Sequence, residues 1–586
     1  MKKACLCFRG NFNFTAMVTN TAAQPQLSGS GASVRARPVS WSAVAAMLLA
    51  LFALARIAAT YSVFSQTADE AVHLACGMEW WQEHRYSFEP LHPPLARVAV
   101  AALPYFSGLR LAENSRQAVP GSTSPINDQG NDLLYAGDRY IQNLTLARLG
   151  TLPFFLLALW AVWQMTHKLY GEAAALFAVL LLSTLPAALA HAGLATTDMA
   201  VTATLTWALY WLLVWLEAPT AAHSALLGLS VGFAAASKFS TLIFFPAAAI
   251  AILLLAAASQ HSAAAARDFR WRNLGLAALL AFVTLWAAYR FSFHPLGGTS
   301  AHAGLAWVRT IPLPMPEFPR GLFDLYLTNL TGRRAFLLGQ QRVGGFWYFF
   351  PVAIFYKTPL AFLLLALGGA IAAVRVALRQ RDWRLAAPLV AAVAILLTAM
   401  VSRINLGLRH VLPLFPLLAV LAGWQAARLW QAMRDPRPAW QSAWQRLLAG
   451  AALIALLGWQ LAAGVRAHPD YLAYFNELAG SHPEHILIDS DLDWGQDMLR
   501  LRAELERRGI RDFWLAAASP ADFQRLHLAG FHPLPPYRRV TGWIAISEWC
   551  LEMGELDQQR WDAYGWLQAE QPVARVGRTL RLYYVP

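Results

Sequence analysis

The sequence predicts an α-helical polytopic membrane protein of about eleven transmembrane helices, with a small α/β domain at its C-terminal end. Three observations carry this. The 586 residues are 57% hydrophobic and only 14% charged, against about one-quarter charged in an ordinary soluble protein. Eleven apolar runs lie between Ser42 and Val465. Past Val465 the charges return and short strand-like runs replace the long apolar ones.

Residues 1–40 read as a disordered cytoplasmic tail. No small-residue cleavage site stands out after the first run, so the first helix reads as uncleaved. The runs are approximately Ser42–Tyr61, Leu144–Trp163, Ala173–Leu189, Met199–Leu216, Ser224–Ala236, Leu242–Ala258, Leu274–Tyr289, Pro359–Val374, Leu385–Val401, Val411–Ala427 and Leu447–Val465. Several are shorter than the ~20 residues of a full span. The shortest, Ser224–Ala236, reads as a tilted or partly buried helix. Residues 41–465 thus form the membrane domain, with outer loops at 62–143 and 292–345, and 466–586 form the α/β domain. In that domain Ile486–Asp489, Arg511–Ala518, Gly542–Glu548 and Thr579–Val585 read as strands, and Asp497–Arg508 reads as a helix.

The net charge of +13 reflects loop charge, and no nucleic-acid motif is present. Arg35/Arg37, His167-Lys168, Arg267/Arg270/Arg272, Arg375/Arg379/Arg381/Arg384 and Arg428/Arg434/Arg437/Arg446 all fall on one side if eleven spans are counted. That side is then the cytoplasm, and the protein is expected in a bacterial inner membrane. Cys5, Cys7, Cys76 and Cys550 are scattered and suggest no disulfide scaffold. No P-loop, H-E-x-x-H or paired C-x-x-C motif occurs.

The opposite, periplasmic side collects the chemistry. Asp69-Glu70 follows the first run, and His73, His92 and Arg97 lie in the same loop. Thr67 or Asp69 is expected to cap a helix reaching about Glu83, with Asp69 and His73 one turn apart. An aspartate there is either a plain cap or a general base whose basicity partial desolvation raises. His92, just before a helix from Leu95, is either an incidental side chain in a Pro-rich turn or part of a phosphate-binding corner. Asp198 is a cap or a partner of Asp69. Lys238 snorkels or neutralises a phosphate. Arg403 and Arg409 run against the positive-inside trend, which points to bidentate phosphate recognition. Arg333-Arg334 and Arg342 are further candidates for the same work. A metal, if used, would fall to Asp69, Glu70 and His73.

These residues in this order resemble the GT-C superfamily of lipid-phosphate-sugar glycosyltransferases, and most closely the protein O-mannosyltransferase-like family 39 and its bacterial phospholipid-carrier-dependent relatives. The resemblance covers nearly the whole chain from about Trp41. It rests on Asp69-Glu70, His92-Pro93-Pro94-Leu95, Ala147-Arg148-Leu149, Thr197-Asp198 and Ser237-Lys238, and on Gly345–Pro351 with Lys357-Thr358-Pro359. Asn405–His410, Tyr474–Gly480 and Asp489–Asp497 match a bacterial subgroup. It implies a GT-C-like fold and transfer of a sugar, with inversion, from a polyprenyl-phosphate donor to a protein, lipid or glycan acceptor at the outer membrane face. Asp69 is implied to be the catalytic base, with Glu70 supporting it or the acceptor. Arg97, Asp198, Lys238, Arg403 and Arg409 are the candidates for the donor phosphate. His92 lies where related aminoarabinose transferases carry Lys, which implies a phosphate role. Some relatives use a divalent metal and others do not, so the resemblance leaves metal dependence open. Loop 292–345 is too short for the β-trefoil of protein mannosyltransferases, and this counts against a protein acceptor. The four acids of Asp489–Asp497 read as a Ca²⁺ site or as turns and a helix cap. The competing reading of the whole chain is a lipid-linked-sugar transporter or flippase, which would place its polar site near the bilayer midplane.

Overall fold

A computed structural model describes residues 40–112, 124–258, 271–296, 310–434, 440–528, 530–554 and 562–586. The N-terminal tail, Cys5 and Cys7, and Arg35, Arg37, Arg267, Arg270 and Arg437 lie outside them. From Trp41 onward the chain forms one compact unit.

Every predicted apolar run is helical. The helices are α1 (Trp41–Ala58), α2 (Glu70–Gln82), α3 (Pro94–Phe106), α4 (Pro125–Leu134), α5 (Tyr140–Leu149), α6 (Leu152–Tyr170), α7 (Glu172–Ser183), α8 (Pro186–Ala192), α9 (Asp198–Glu217), α10 (Ala221–Ser237), α11 (Thr241–Ala258) and α12 (Trp271–Ala288). They continue with α13 (Glu317–Thr331), α14 (Phe349–Lys357), α15 (Leu360–Gln380), α16 (Ala387–Ala399), α17 (Leu414–Arg434), α18 (Trp440–Arg466), α19 (Met498–Arg508) and α20 (Glu548–Met553). Among the described residues six helices are long and apolar enough to cross a membrane, or seven if the bent pair α7–α8 is one span. The 65° bend of that pair falls at Pro186, whose ring cannot continue the preceding helix. Leu48 and Leu51 on α1, Leu254 on α11, Leu367 on α15, Leu397 on α16 and Ile454 on α18 are exposed. Such outward apolar faces are what lipid contact requires, and the chain is a multi-pass membrane protein.

Lys168, at the end of α6, reaches Glu217 at the end of α9 at 2.5 Å, and Arg384 reaches the same carboxylate at 3.2 Å. Residues read from their charge as sharing one membrane side therefore do meet at one end of the bundle.

The C-terminal segment carries a five-stranded mixed sheet. Short pairs β1 (Phe293–Pro295) with β2 (Pro312–Pro314), and β3 (Arg334–Leu337) with β4 (Gln340–Val343), precede it. The sheet is ordered β6-β5-β7-β9-β8, from β5 (Phe513–Ala516), β6 (Phe531–Pro533), β7 (Gly542–Ser547), β8 (Ala574–Val576) and β9 (Leu580–Val585). The expected strand at Ile486–Asp489 does not form. That stretch lies between the single 3₁₀ turns Pro483–His485 and Asp489–Asp491, and Asp489 has φ of 54°, so no extended ladder runs through it. Leu74, Val100 and Leu144 of the first-loop helices share one core with Leu501, Leu515 and Leu582 of this segment. The sheet is thereby fixed against the loop that carries Asp69.

Candidate functional site

Asp69 occupies the N-cap position of α2, but its side chain makes no capping bond. Its Oδ2 instead accepts a hydrogen bond from Arg409 at 2.6 Å. The same guanidinium nitrogen lies 3.7 Å from Oδ2 of Asp198, whose Oδ1 accepts from Lys238 Nζ at 2.6 Å. Two carboxylates and two cations thus alternate Asp69–Arg409–Asp198–Lys238. They are brought together from the start of α2, the 3₁₀ turn Leu408–Val411, the first residue of α9 and the end of α10. Asp198 is fully buried, whereas the Asp69 side chain is 31% exposed. Asp198 Oδ2 and Arg409 Nε are buried without a hydrogen-bond partner among the described residues. Arg409 also stacks over the Trp494 ring at 4.3 Å.

The electrostatics correct the expectation for Asp69. Burial raises its pKa, but Arg409, with help from His73 and His92, outweighs burial and holds it at about 2. The free site therefore presents an ionised, weakly basic carboxylate. Asp489, which interacts electrostatically with Arg409 and Asp69, behaves oppositely: burial pushes its carboxyl up to about 6.

Glu70 does not face this group. Its carboxylate is buried against Arg148, with both pairings at 2.8 Å. It also accepts from the Ala195 N–H at 2.9 Å and the Thr67 N–H at 2.8 Å. The Thr67 N–H and hydroxyl both reach Glu70 Oε2, which closes a local T-x-x-E turn just before α2. Glu70 is a structural anchor joining α2, α5 and the turn before α9. Arg97 is likewise spent internally. It donates to His73 Nδ1 at 2.9 Å, to Tyr86 Oη at 2.7 Å, to the Glu89 carbonyl at 2.7 Å and to the Glu89 carboxylate, and its fifth N–H faces His92 Nδ1 at 3.3 Å. No bond is left for a phosphate in this arrangement. The proposed metal set fails for the same reason. Glu70 is saturated, and among the described residues the ligand atoms of Asp69, Glu70 and His73 do not converge on an ion.

His92 sits edge-on to His73, ring centroids 5.2 Å apart. Burial and Arg97 push its pKa down against the pull of Glu89. Arg403 lies apart from the quartet: it is exposed and donates to the Leu330 carbonyl at 3.0 Å. Arg334 points to the Met553 carbonyl at the end of α20. The four acids of Asp489–Asp497 diverge instead of forming a Ca²⁺ cage. Asp489 Oδ1 accepts from the Ser490 N–H at 2.7 Å, Asp491 Oδ1 from the Leu408 N–H at 3.0 Å, Asp493 from the Trp549 N–H at 2.8 Å, and Asp497 from the Arg578 N–H at 3.1 Å and the Thr579 hydroxyl at 3.0 Å.

Those divergent bonds show what the C-terminal motif does. The carbonyls of Trp494 and Gln496 accept from the N–H groups of Ala68 and Ser65 at 3.2 and 2.9 Å, which fixes the strand of chain leading into Asp69. Asp491 holds the turn that carries Arg409. Lys357, pushed down to about 8 by burial, donates to the Asp491 and Leu472 carbonyls. Asn405 Oδ1 accepts from the Phe346 N–H at 2.6 Å. Motifs spread over 150 residues therefore lock one another beneath Arg409. Gly407 is the tight point: its φ is 145°, and a Cβ there would lie 2.2 Å from Ser490 Oγ. Gly407→Ala is expected to cost about 1–3 kcal/mol from overpacking, seen as a lower melting temperature. Gly407→Ala/Ser490→Ala should relieve only the contact part of that loss, because the positive φ at 407 stays strained for any side chain.

Residues 142–287 match a family model described as dolichyl-phosphate-mannose-protein mannosyltransferase. Among solved structures, the chain is similar to ArnT from Cupriavidus metallidurans bound to undecaprenyl phosphate, at 14% identity and a TM-score of 0.46, covering 92% of this chain and 97% of that one. It is also similar to the archaeal oligosaccharyltransferase AglB from Archaeoglobus fulgidus, in complex with an inhibitory peptide and a dolichol-phosphate, at 11% identity and a TM-score of 0.46, covering 87% of this chain and 70% of that one. No curated protein sequence matches the chain.

Proposed function

We propose that the chain is a GT-C-type inverting glycosyltransferase that moves a sugar from a polyprenyl-phosphate donor to an acceptor hydroxyl at the outer face of a bacterial inner membrane. The observation that carries this reading is the Asp69–Arg409–Asp198–Lys238 chain, which sets two cations beside a part-exposed carboxylate.

The quartet is formally neutral when empty. A donor phosphodiester brings one negative charge, and Arg409 and Lys238 are the groups to meet it. Both would have to loosen from their carboxylates, and Arg409 is the chief cause of the low pKa of Asp69. Donor binding at Arg409 therefore raises the basicity of Asp69, so the base strengthens as the donor is seated. In the transfer step the acceptor oxygen forms a bond to the anomeric carbon. The bond from that carbon to the phosphate oxygen breaks, the hydroxyl proton passes to Asp69, and polyprenyl phosphate leaves with its extra negative charge stabilised by Arg409 and Lys238. Asp198 is a positioning residue that orients both cations. No metal enters this scheme.

Asp69→Asn is expected to abolish transfer from a panel of polyprenyl-phosphate-linked hexoses and pentoses while the protein stays folded in the membrane. Retention of full activity would refute the base assignment. The pH profile follows from the same pairing. A carboxylate with its folded pKa depressed to about 2 stabilises the fold above its unfolded value of about 3.9, and that stabilisation is lost as pH falls through 2. In the free enzyme kcat/KM should therefore show no acid limb from Asp69 between about pH 4 and 8, because that parameter reports groups of the unliganded protein.

A further inference from the structure

Helix α13 is inside out for a helix in water. Leu322, Phe323, Tyr326, Leu327 and Leu330 form its outward stripe and are 37–56% exposed. Gly321, Thr328 and Asn329 lie on the inward side. A helix on an aqueous surface has the reverse arrangement, and apolar surface on this scale marks a contact. The inward side is tied to the site at both ends. At one end a Cβ on Gly321 would lie 1.9 Å from the Pro90 carbonyl, so α13 rests directly on the turn that carries His92. Phe318 packs on Phe239, ring centroids 5.1 Å apart, beside Lys238. At the other end Asn329 Oδ1 accepts from Ser402 Oγ at 3.2 Å and from the Arg403 N–H at 3.0 Å.

What covers the stripe follows from its neighbours. Arg403 and Ser402 come directly after Val401, 78% exposed at the end of α16, and Phe239 comes just before α11, whose Ile243 is 58% exposed. α11 and α16 pack side by side. The outward face of α13 is thus continuous at both ends with apolar faces that, in a multi-pass protein, meet lipid. Arg320 and Arg403, near its two ends, are exposed cations, the pattern of a helix lying in the interfacial plane. We infer that α13 is an interfacial helix whose outward face is buried in the hydrocarbon of the bilayer, and that it holds the His92 and Arg409 turns at headgroup level. The inference needs only the membrane setting and holds whatever group the site transfers.

The test uses the full chain in liposomes. Cys76 and Cys550 are buried, so only Cys5 and Cys7 are changed, to Ser. Leu322→Cys, Tyr326→Cys and Leu330→Cys are then spin-labelled, with Tyr537→Cys, on the exposed C-terminal segment, as the aqueous control. Collisions with dissolved oxygen should exceed those with a water-soluble nickel chelate at all three α13 positions, and the order should reverse at 537. Nickel collisions equal to or above oxygen would overturn the inference. So would low collisions with both reagents, which would mean a second copy or another protein covers the face. Oxygen access that disappears only when polyprenyl phosphate is added would assign the face to a docked lipid instead of the bilayer. Should labelling disturb folding, hydroxyl-radical footprinting of the unaltered chain in nanodiscs reads the same point: Tyr326 protected and Tyr537 modified supports it, and both modified overturns it.

Discussion

Arg409→Met should lower transfer by about 10²–10³-fold, the scale seen when one preorganised electrostatic donor is removed from an active site. It should also cost about 3 kcal/mol of stability. Arg409 is the one group that touches both carboxylates of the quartet, at 2.6 Å from Asp69 and 3.7 Å from Asp198. Its removal leaves Asp198, which is fully buried, with Lys238 alone. Breaking a buried pair costs ~3–5 kcal/mol, and the low end applies because Asp69 is partly open to water and Asp198 keeps one partner. Arg409→Lys keeps the charge but cannot span two carboxylates or stack flat on Trp494, so an intermediate loss is expected. The pair Asp69→Asn/Arg409→Met separates the two effects. It removes the unpaired carboxylate, so part of the melting temperature should return, while transfer should stay lost. An Arg409→Met enzyme within tenfold of the parent would exclude Arg409 from the phosphate role.

Several parts of this site were legible in the sequence, for stateable reasons. Asp198, Lys238 and Arg409 each stand at the end of an apolar run and Asp69 stands a short way beyond one, and successive runs that alternate direction bring such ends to the same side. The sense of Glu70 and Arg97 was not legible. A carboxylate next to a candidate base carries no mark of which way it turns, and its partner Arg148 lies 78 positions away. Arg97 looked free because its carboxylate partner, Glu89, sits in a Pro-rich turn whose return path no periodicity reports. The low pKa of Asp69 was also hidden. Desolvation was visible from its place beside a span, but the cation 340 positions away that outweighs it was not. The Asp489–Asp497 motif misled in another way. Alternating acids suggest one cation cage, whereas a chain of tight turns sends each carboxylate to a different backbone N–H. Ile486–Asp489 has the composition of a strand but lies between turns, and composition alone could not tell the two apart.

Glu70→Gln is expected to act on folding where Asp69→Asn acts on chemistry, and the contrast between adjacent residues is the sharpest test of the site as drawn. Glu70 and Arg148 are both 1% exposed in their side chains and pair through two bonds of 2.8 Å. Arg148 also donates to the Phe64 and Ser65 carbonyls at 3.1 and 2.9 Å, so the pair fixes the chain leading into Asp69 as well as the start of α2. A Gln in place of Glu70 keeps the size but leaves Arg148 as an uncompensated buried cation, for a loss of about 3–5 kcal/mol. That is a large share of the 5–15 kcal/mol by which a domain is ordinarily stable. The expected result is poor recovery of folded protein and a much lower melting temperature, with whatever folds retaining a measurable kcat. Arg148→Met should fail in the same way, and Glu70→Gln/Arg148→Met should be more stable than either single variant, because neither charge is then stranded. If Glu70→Gln instead melted like the parent and lost transfer as completely as Asp69→Asn, Glu70 would belong to the catalytic machinery and the division between the two acids would be wrong.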